Sequence, residues 1–363
     1  MSKSVDFCRK RMSHLREKME EEHLDLVLLF NKGGNGQLYQ RIVDTSTGRA
    51  LMLPLDGEPV LFCHSVNYVS TMEESWMEVI ELESREKARE QLSRFANKHL
   101  ESGSSIGVNM GSLSHRDYQH YQEAMRGDLI DISESIIPDV FYGLYPEEVI
   151  YQREVSRLAD LAVEAAKEAM APGVKEHVVA AEANYAMMKE GAEMQSFPTI
   201  ISSGERSAYC HGWPGERELQ DGDLVIVDLG PMIHGYAADE TRTILLGDDE
   251  RKERMLKAVD RSVKAVIEEV SPGVSCRKLD SISRRVLKEE GFPDYPHSLG
   301  HPISGFVVPR LAVNSDHTLK EGMVFTVEPG IYIQGYGGVR IEENLVITED
   351  SYEKLTQTPR ILT

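Results

Sequence analysis

Two stretches one hundred residues apart end alike: LQDGDLVIVDLG at 219–230 and LKEGMVFTVEPG at 319–330, each a loop leading into a strand that closes on an acid, Asp228 or Glu328. The register extends well beyond them. The same offset relates Pro172-Gly173-Val174 to Pro272-Gly273-Val274, Gly191 to Gly291, Leu219 to Leu319, Gly222 to Gly322, Val227 to Val327, Gly230 to Gly330 and Gly235-Tyr236 to Gly335-Tyr336. Repetition at a fixed offset restricts the fold strongly, because each copy is one supersecondary unit that must bury its apolar face against the other. Each copy reads as a long helix, a PGV turn, a second helix ending at glycine, and a strand pair. Two such units joined through their strands predict one pseudo-twofold sheet backed by helices.

The duplication leaves the first third of the chain to account for. A chain of 363 residues is long for a single core and fits two domains. A charged amphipathic helix to about His23 precedes the strand DLVLLF at 25–30 and a hairpin, ALMLPLDGEPVLF, turning at Asp56 and Gly57. Helices near 65–75 and 86–100 and a short strand, SIGVNM, within 104–110 continue the alternation. The expectation is an α/β domain over 1–140, ending near Pro138, with nothing in it that looks catalytic. His14, His64, His99, His115 and His120 are most simply surface or packing residues. A second domain over 146–363 opens at Pro146, in the first turn of a long helix where Glu147 and Glu148 suit the positive end of the dipole. The fold class is α/β (α+β) in two domains.

Composition narrows the function. The chain is 41% apolar and 28% charged, has no apolar run long enough to cross a membrane, and starts without the apolar core of a secretory signal. A cytoplasmic protein with no membrane partner is expected. A formal charge of -20 repels a phosphate backbone, and no basic stripe is interleaved with aromatics, so nucleic acid is not an expected partner. Cys8, Cys63, Cys210 and Cys276 are scattered without a close pair, which fits free thiols rather than a zinc knuckle or a disulfide framework.

Along LVIVDLG both alternating faces are otherwise apolar, so the strand should be buried on both sides and Asp228 with it. Beyond each acid the chain turns, through PMIHGY or IYIQGYGG, and returns with a second acid, Asp239 or Glu342. Across an antiparallel hairpin these pairs can come to face each other. Like charges in that position destabilise, and a buried uncompensated carboxylate is costly, so two such pairs at a pseudo-twofold axis need a cation. Arg242 and Arg340 could neutralise part of the charge as a buried ion-pair network. A dinuclear metal site accounts better for acids kept in both hairpins.

The segments VDLGPMIHGYAADETRT, HSLGH, EPGIYI and VRIEEN resemble the signatures of the pita-bread metallopeptidases, which include prolidase, aminopeptidase P and methionine aminopeptidase. The opening RMSHLREKMEEEHLDLVLLF resembles the creatinase-type N-terminal domain of prolidases, so the resemblance spans nearly the whole chain. It implies a creatinase-like α/β domain followed by a pita-bread domain, and five metal ligands at Asp228, Asp239, His301, Glu328 and Glu342. Asp239 and Glu342 would bridge two divalent ions, Asp228 would bind one, and His301 with Glu328 the other. Four carboxylates and one imidazole favour manganese, with iron, cobalt or zinc also compatible. The implied activity is hydrolysis of peptide bonds next to proline through a bridging hydroxide, with Glu328 as general base and His211, in ISSGERSAYCHG, contacting the reacting group. Small peptides would be the substrates, and a homodimer is usual in relatives with this N-terminal domain.

One segment departs from the pattern. The family reads GHGxGxxxHE, with a second histidine seven residues after the ligand, whereas this chain reads GHPISGFVVPR, with Pro302 after His301 and Val308 in the place of that histidine. Arg310 could supply positive charge but not a proton near neutral pH. His297 and His317 are the candidate substitutes. The departure keeps open a metal-dependent enzyme acting on a small non-peptide molecule, and a binding module that has lost catalysis; the full ligand set speaks against the latter.

Overall fold

A computed structural model describes residues 5–31, 36–84 and 87–362, with the side chains of 36–38 excepted. Residues 1–4 of the opening segment and Glu86 of the predicted 86–100 helix lie outside the described residues. The chain divides into two compact units, Met1–Tyr142 and Gly143–Thr363.

The first unit is built on a six-stranded sheet of β1 (Leu26–Phe30), β2 (Ala50–Pro54), β3 (Val60–His64), β4 (Glu78–Leu82), β5 (Ser104–Val108) and β6 (Gly127–Asp131), in the order β4-β3-β2-β1-β5-β6. β2 is antiparallel to β1 and β3, while β1 with β5, β5 with β6 and β3 with β4 are parallel. Alternate residues of the central strands, Leu26, Leu28, Phe30, Ala50, Met52, Val60 and Phe62, form one apolar face. Helices Ala88–Ala96 and His115–Ala124 cover it through Leu92, Ala96 and Tyr121. The opening helix, predicted to His23, runs Asp6–Glu21; the segment predicted helical at 65–75 is a short 3₁₀ turn and the helix Tyr68–Glu74. Pro138, the expected end of the domain, sits inside the helix Ile136–Val140.

The second unit shows the duplication in detail. Helices Val149–Glu168 and Glu176–Lys189 are answered by Glu250–Ile267 and Cys276–Glu289. Pro146 belongs to a 3₁₀ turn leading into the first of these. Each PGV turn is tied to the loop before its hairpin by the same bonds. Gly173 N donates to Leu219 O and Gly273 N to Leu319 O, both at 2.8 Å. Gly173 and Gly273 have φ of 89° and 82°, and Gly222 and Gly322 of 83° and 82°, a region costly for residues with a Cβ, which is why glycine recurs in both copies.

The first copy's strands are β7 (Met194–Gln195), β8 (Ile200–Ser203), β9 (Leu224–Leu229), β10 (Pro231–Ile233), β11 (Tyr236–Ala237) and β12 (Glu240–Leu245). The second contributes β13 (Val324–Val327), β14 (Gly330–Ile333), β15 (Gly337–Arg340), β16 (Glu343–Ile347) and β17 (Tyr352–Lys354). The expected single sheet is broken into small sheets, β12-β9-β8, β13-β16-β17, β11-β10-β7 and β14-β15. Glu342 N to Thr241 O at 3.0 Å and Arg340 N to the Thr243 hydroxyl at 3.0 Å join the two copies across the break. The regular ladders stop at Asp239, Glu328 and Glu342. Interrupting the pleat there frees these acids to turn into a common cleft.

Candidate metal centre

Asp228 lies on β9, a strand buried along its whole length, and is itself 7% exposed. It pairs with Thr241, not with Asp239. Asp239 is therefore two positions along the partner strand, on the same face but diagonal to Asp228. In the second copy Val327 pairs with Glu343, which sets Glu328 and Glu342 as the next residues of the two strands.

His301 comes from outside both hairpins and is placed by the backbone. Glu328 N donates to Leu299 O at 2.8 Å and Thr326 N to His301 O at 3.0 Å, so residues 299–301 run alongside β13. Gly300 is required in that strip, since a Cβ there would lie 1.9 Å from Thr326 O. His301 Nδ1 lies 3.0 Å from Pro302 O, which fixes the proton on Nδ1 and leaves the Nε2 lone pair directed at Asp239 Oδ2 (3.5 Å) and Glu328 Oε1 (3.3 Å). Ligand atoms of Asp239, His301 and Glu342 all fall within 4.8 Å of one another.

These groups line a cleft of about 500 Å³ together with Asp228, Glu328, Arg340, His211 and His297. The residues fit a bound cation. Asp228 Oδ1 and Glu342 Oε1 are buried without a hydrogen-bond partner. Burial and mutual repulsion raise Asp239 and Glu328 well above the carboxylate range, and burial with repulsion from Asp228 raises Glu342 to about 7. Burial among protein atoms lowers the His301 imidazole, keeping it neutral and able to ligate. Arg340 is the arginine on this face: it donates to Asp228 Oδ2 at 2.5 Å and to the Tyr332 hydroxyl at 2.9 Å. Arg242 does not take part. It is buried on the opposite face, 3.1 Å from Glu240 and 3.2 Å from Glu343. One arginine against four carboxylates leaves room for divalent charge.

His211 lies at the exposed mouth of the cleft, beside Trp213, which is 52% exposed. Its loop is tied to the second copy: Gly338 N donates to the Ser207 hydroxyl at 2.7 Å, and Arg340 to Cys210 O at 3.3 Å. Of the candidate substitutes for the missing histidine, His297 reaches the cleft, whereas Val308, Arg310 and His317 do not line it. His317 Nδ1 instead accepts from Arg310 N at 3.1 Å. Both His297 nitrogens are engaged, Nδ1 with Ser298 O at 2.8 Å and Nε2 with the Tyr332 hydroxyl at 2.9 Å, and burial holds the ring down to about 4. The Tyr332 bridge from His297 to Arg340 and the Glu240–Arg242–Glu343 cluster were not anticipated from sequence. The tandem acids Asp239-Glu240 and Glu342-Glu343 carry the signal for the cluster, since neighbours on a strand point to opposite faces.

Residues 151–349 match metallopeptidase family M24, and residues 11–139 match the creatinase/prolidase N-terminal domain. The chain belongs to metallopeptidase family M24. Among its relatives, the Xaa-Pro dipeptidase of Pyrococcus furiosus is 33% identical over 359 residues, covering 98% of this chain and 99% of the relative. The solved prolidase of Pyrococcus furiosus superposes with a TM-score of 0.84 at 34% identity, over 95% of this chain and 100% of that one. An Xaa-Pro dipeptidase from Bacillus anthracis gives 0.88 at 27% identity, over 98% of this chain and 100% of that one. The two-domain prolidase-type fold expected from the motifs is thus the fold of this M24 chain. Divalent metal dependence comes with the family. Among the described residues no helix is long and apolar enough to cross a membrane.

Proposed function

We propose that this chain is a metal-dependent Xaa-Pro peptidase that hydrolyses the bond next to proline in small peptides. The observation carrying the reading is the convergence of Asp228, Asp239, His301, Glu328 and Glu342 on one cleft, with carboxylate lone pairs that no protein donor meets. Relatives named Xaa-Pro dipeptidase and aligned along nearly the whole chain supply the substrate class. Asp239 and Glu342 would bridge two divalent ions, Asp228 would hold one, and His301 with Glu328 the other. The donor set favours manganese over iron, cobalt or zinc. Ions held there supply Lewis acidity toward the scissile carbonyl and toward an attacking water.

The chain's own groups carry the remaining steps. A Glu328 carboxylate oxygen accepts the proton of the attacking water and returns it to the leaving nitrogen. Arg340, fixed between Asp228 and Tyr332, keeps one positive charge at the back of the cleft. His211 contacts the reacting group from the mouth. Catalysis is assigned to the pita-bread domain at residues 146–363, which follows a creatinase-like N-terminal domain at 1–140, in a cytoplasmic homodimer.

The replaced segment Pro302–Arg310 favours a second reading, a metal-dependent enzyme acting on a small non-peptide molecule. Manganese-supplemented turnover of Xaa-Pro dipeptides, longer Xaa-Pro peptides and non-peptide amides decides between them. Xaa-Pro cleavage should occur and fall about 10²- to 10⁴-fold in Glu328→Gln. Turnover of a non-peptide substrate without any Xaa-Pro cleavage would put the second reading in its place.

A further inference from the structure

The first unit holds a crevice that catalysis leaves unused. Its volume is about 360 Å³, and Arg49, His64, Arg89, Asp117 and Tyr121 line it over a floor of Ala88 and Leu92. A volume of about 300–1,000 Å³ is usual for small-molecule sites. Arg49 directly precedes β2, the strand that runs against its neighbours, and His64 ends β3, so both stand at the carboxyl edge of the parallel strands. Ala88, Arg89 and Leu92 come from the first turns of the helix that follows β4, and Asp117 and Tyr121 from the helix that follows β5. Ligands of open α/β sheets lodge outside this edge.

The polar groups there are unevenly satisfied. Arg89 Nε donates to Asp117 Oδ1 at 2.5 Å, and the other Asp117 oxygen accepts from the Ser114 hydroxyl at 2.6 Å in a capping box. The two terminal nitrogens of Arg89 meet no acceptor among the described residues. The Arg49 side chain makes neither a hydrogen bond nor an ion pair with any described residue; only its backbone is engaged, with Phe62 O at 2.6 Å and Asn31 N at 3.1 Å. The chain carries 60 acids against 40 bases, yet no described acid pairs with Arg49. The Tyr121 ring stacks on Phe30 with centroids 5.4 Å apart, and its hydroxyl has no described partner. Among the described lining residues, two guanidinium groups stand against one carboxylate.

We propose that this crevice is a second binding site, taking a small molecule through a carboxylate or phosphate group held by the free fork of Arg49, the terminal nitrogens of Arg89 and the Tyr121 hydroxyl. A planar guanidinium matches two anionic oxygens at once, and such charge-assisted bonds are stronger than neutral ones. The site lies wholly within the first unit, so it is tested by binding and not by peptide turnover.

Inorganic phosphate and succinate are titrated separately into the metal-loaded full chain, wild type and Arg49→Met, at constant ionic strength with calorimetric detection. The wild type should bind at least one of the two probes at a site whose affinity falls about tenfold or more in Arg49→Met, as expected for one lost charge-assisted contact. Whichever probe shows the loss identifies the anion class, and anion held at the metal cleft is unaffected by this variant. A second measurement needs no variant: phosphate or succinate at saturation should slow phenylglyoxal modification of Arg49 several-fold, read by peptide mass mapping. Identical isotherms for the two proteins, or an Arg49 modification rate indifferent to both probes, would overturn the proposal.

Discussion

The two faces of β12 and β16 treat their acids differently. Asp239-Glu240 and Glu342-Glu343 stand at the starts of these strands, and the pleat sends one member of each pair to either side. Buried carboxylate oxygens without a hydrogen-bond donor occur on both sides, at Asp228 and Glu342 on one and at Glu240 and Glu343 on the other, so the sides differ in their cations. On one side Asp239 and Glu342 meet Asp228 and Glu328, with Arg340 as the arginine among the described residues lining the cleft. On the other, Arg242 lies between Glu240 and Glu343, and Lys354 and Arg360 each approach Glu343 to 3.6 Å. Among the described residues the acids of the far side come with several cations, and those of the cleft side with Arg340. The same local sequence pattern therefore encodes a structural cluster and a candidate metal centre back to back.

Neutralising one acid on the cleft side should separate the two roles most strongly. Glu342→Gln keeps the acceptor for the Thr241 hydroxyl, which donates at 2.7 Å, but removes a charged ligand. Manganese affinity should fall by at least about 10²-fold, since even groups that merely orient a ligand are worth about 10- to 100-fold. In metal-free protein the same variant should be no less stable than wild type, because one repelling charge is gone. Elemental analysis and urea denaturation read the two effects, and equal metal content in variant and wild type would contradict the ligand assignment.

On the opposite side the sign reverses. Burial raises Glu240 to about 8 even beside Arg242. Arg242→Met would take from Glu343 the buried arginine 3.2 Å away, and breaking a buried ion pair on one side costs about 3–5 kcal/mol. Denaturation should show that loss with and without metal. A variant as stable as wild type would mean that the two faces are not distinguished by charge balance.

How much of this could be read in the sequence follows from what the signal is made of. The glycine pairs were legible because each copy needs the same left-handed backbone at the same place, and all four of Gly173, Gly273, Gly222 and Gly322 adopt it. The four acids and the histidine in motif segments were legible as a set, and the structure brings them to one cleft. Their mutual register was not: Asp239 stands diagonal to Asp228 because β9 and β12 pair Asp228 with Thr241, a register that side-chain alternation does not reveal. Nor could spacing show that His297 is committed to Tyr332 and Ser298, or that Arg49, His64, Arg89 and Tyr121 share a crevice, since four separate segments supply them. Long-range packing decides such cases.

The first unit offers a smaller check on the rule that a structural acid arrives with its partners. Burial alone would raise Asp117, but the Ser114 and Arg89 contacts outweigh it and hold the carboxyl down to about 2. The folded state then keeps this charge further into acid than the unfolded chain does. Its contribution is complete above the usual carboxylate range near 4 and is lost as the pH falls through about 2. Asp117→Asn, which weakens the N3 side of the capping box and its pair with Arg89, should cost about 1 kcal/mol at neutral pH and should flatten that part of the acid limb in pH-dependent denaturation. An unchanged acid limb would mean that the contacts contribute nothing in solution.

The smallest effect is expected where sequence comparison alone suggests the largest. Val308 occupies the position of the family's second histidine, so Val308→His looks like a restoration. The surrounding segment, however, is held by anchors of its own. Ser304, buried and at φ 60°, donates to Gln152 Oε1 at 2.6 Å and accepts from Ala237 N at 2.8 Å, while Ile303 and Phe306 are each 5% exposed. Leu311 is bonded back to Gly300 at 2.9 Å. These anchors fix the turn on both sides, and Val308 does not line the cleft. A properly placed donor to a developing oxyanion is commonly worth about 10²- to 10³-fold, so a true restoration would be obvious in kcat. Xaa-Pro turnover in Val308→His should instead stay close to wild type. A rise of about tenfold or more would show that the 302–310 segment rearranges in the working enzyme and that its anchors at Gln152 and Ala237 release.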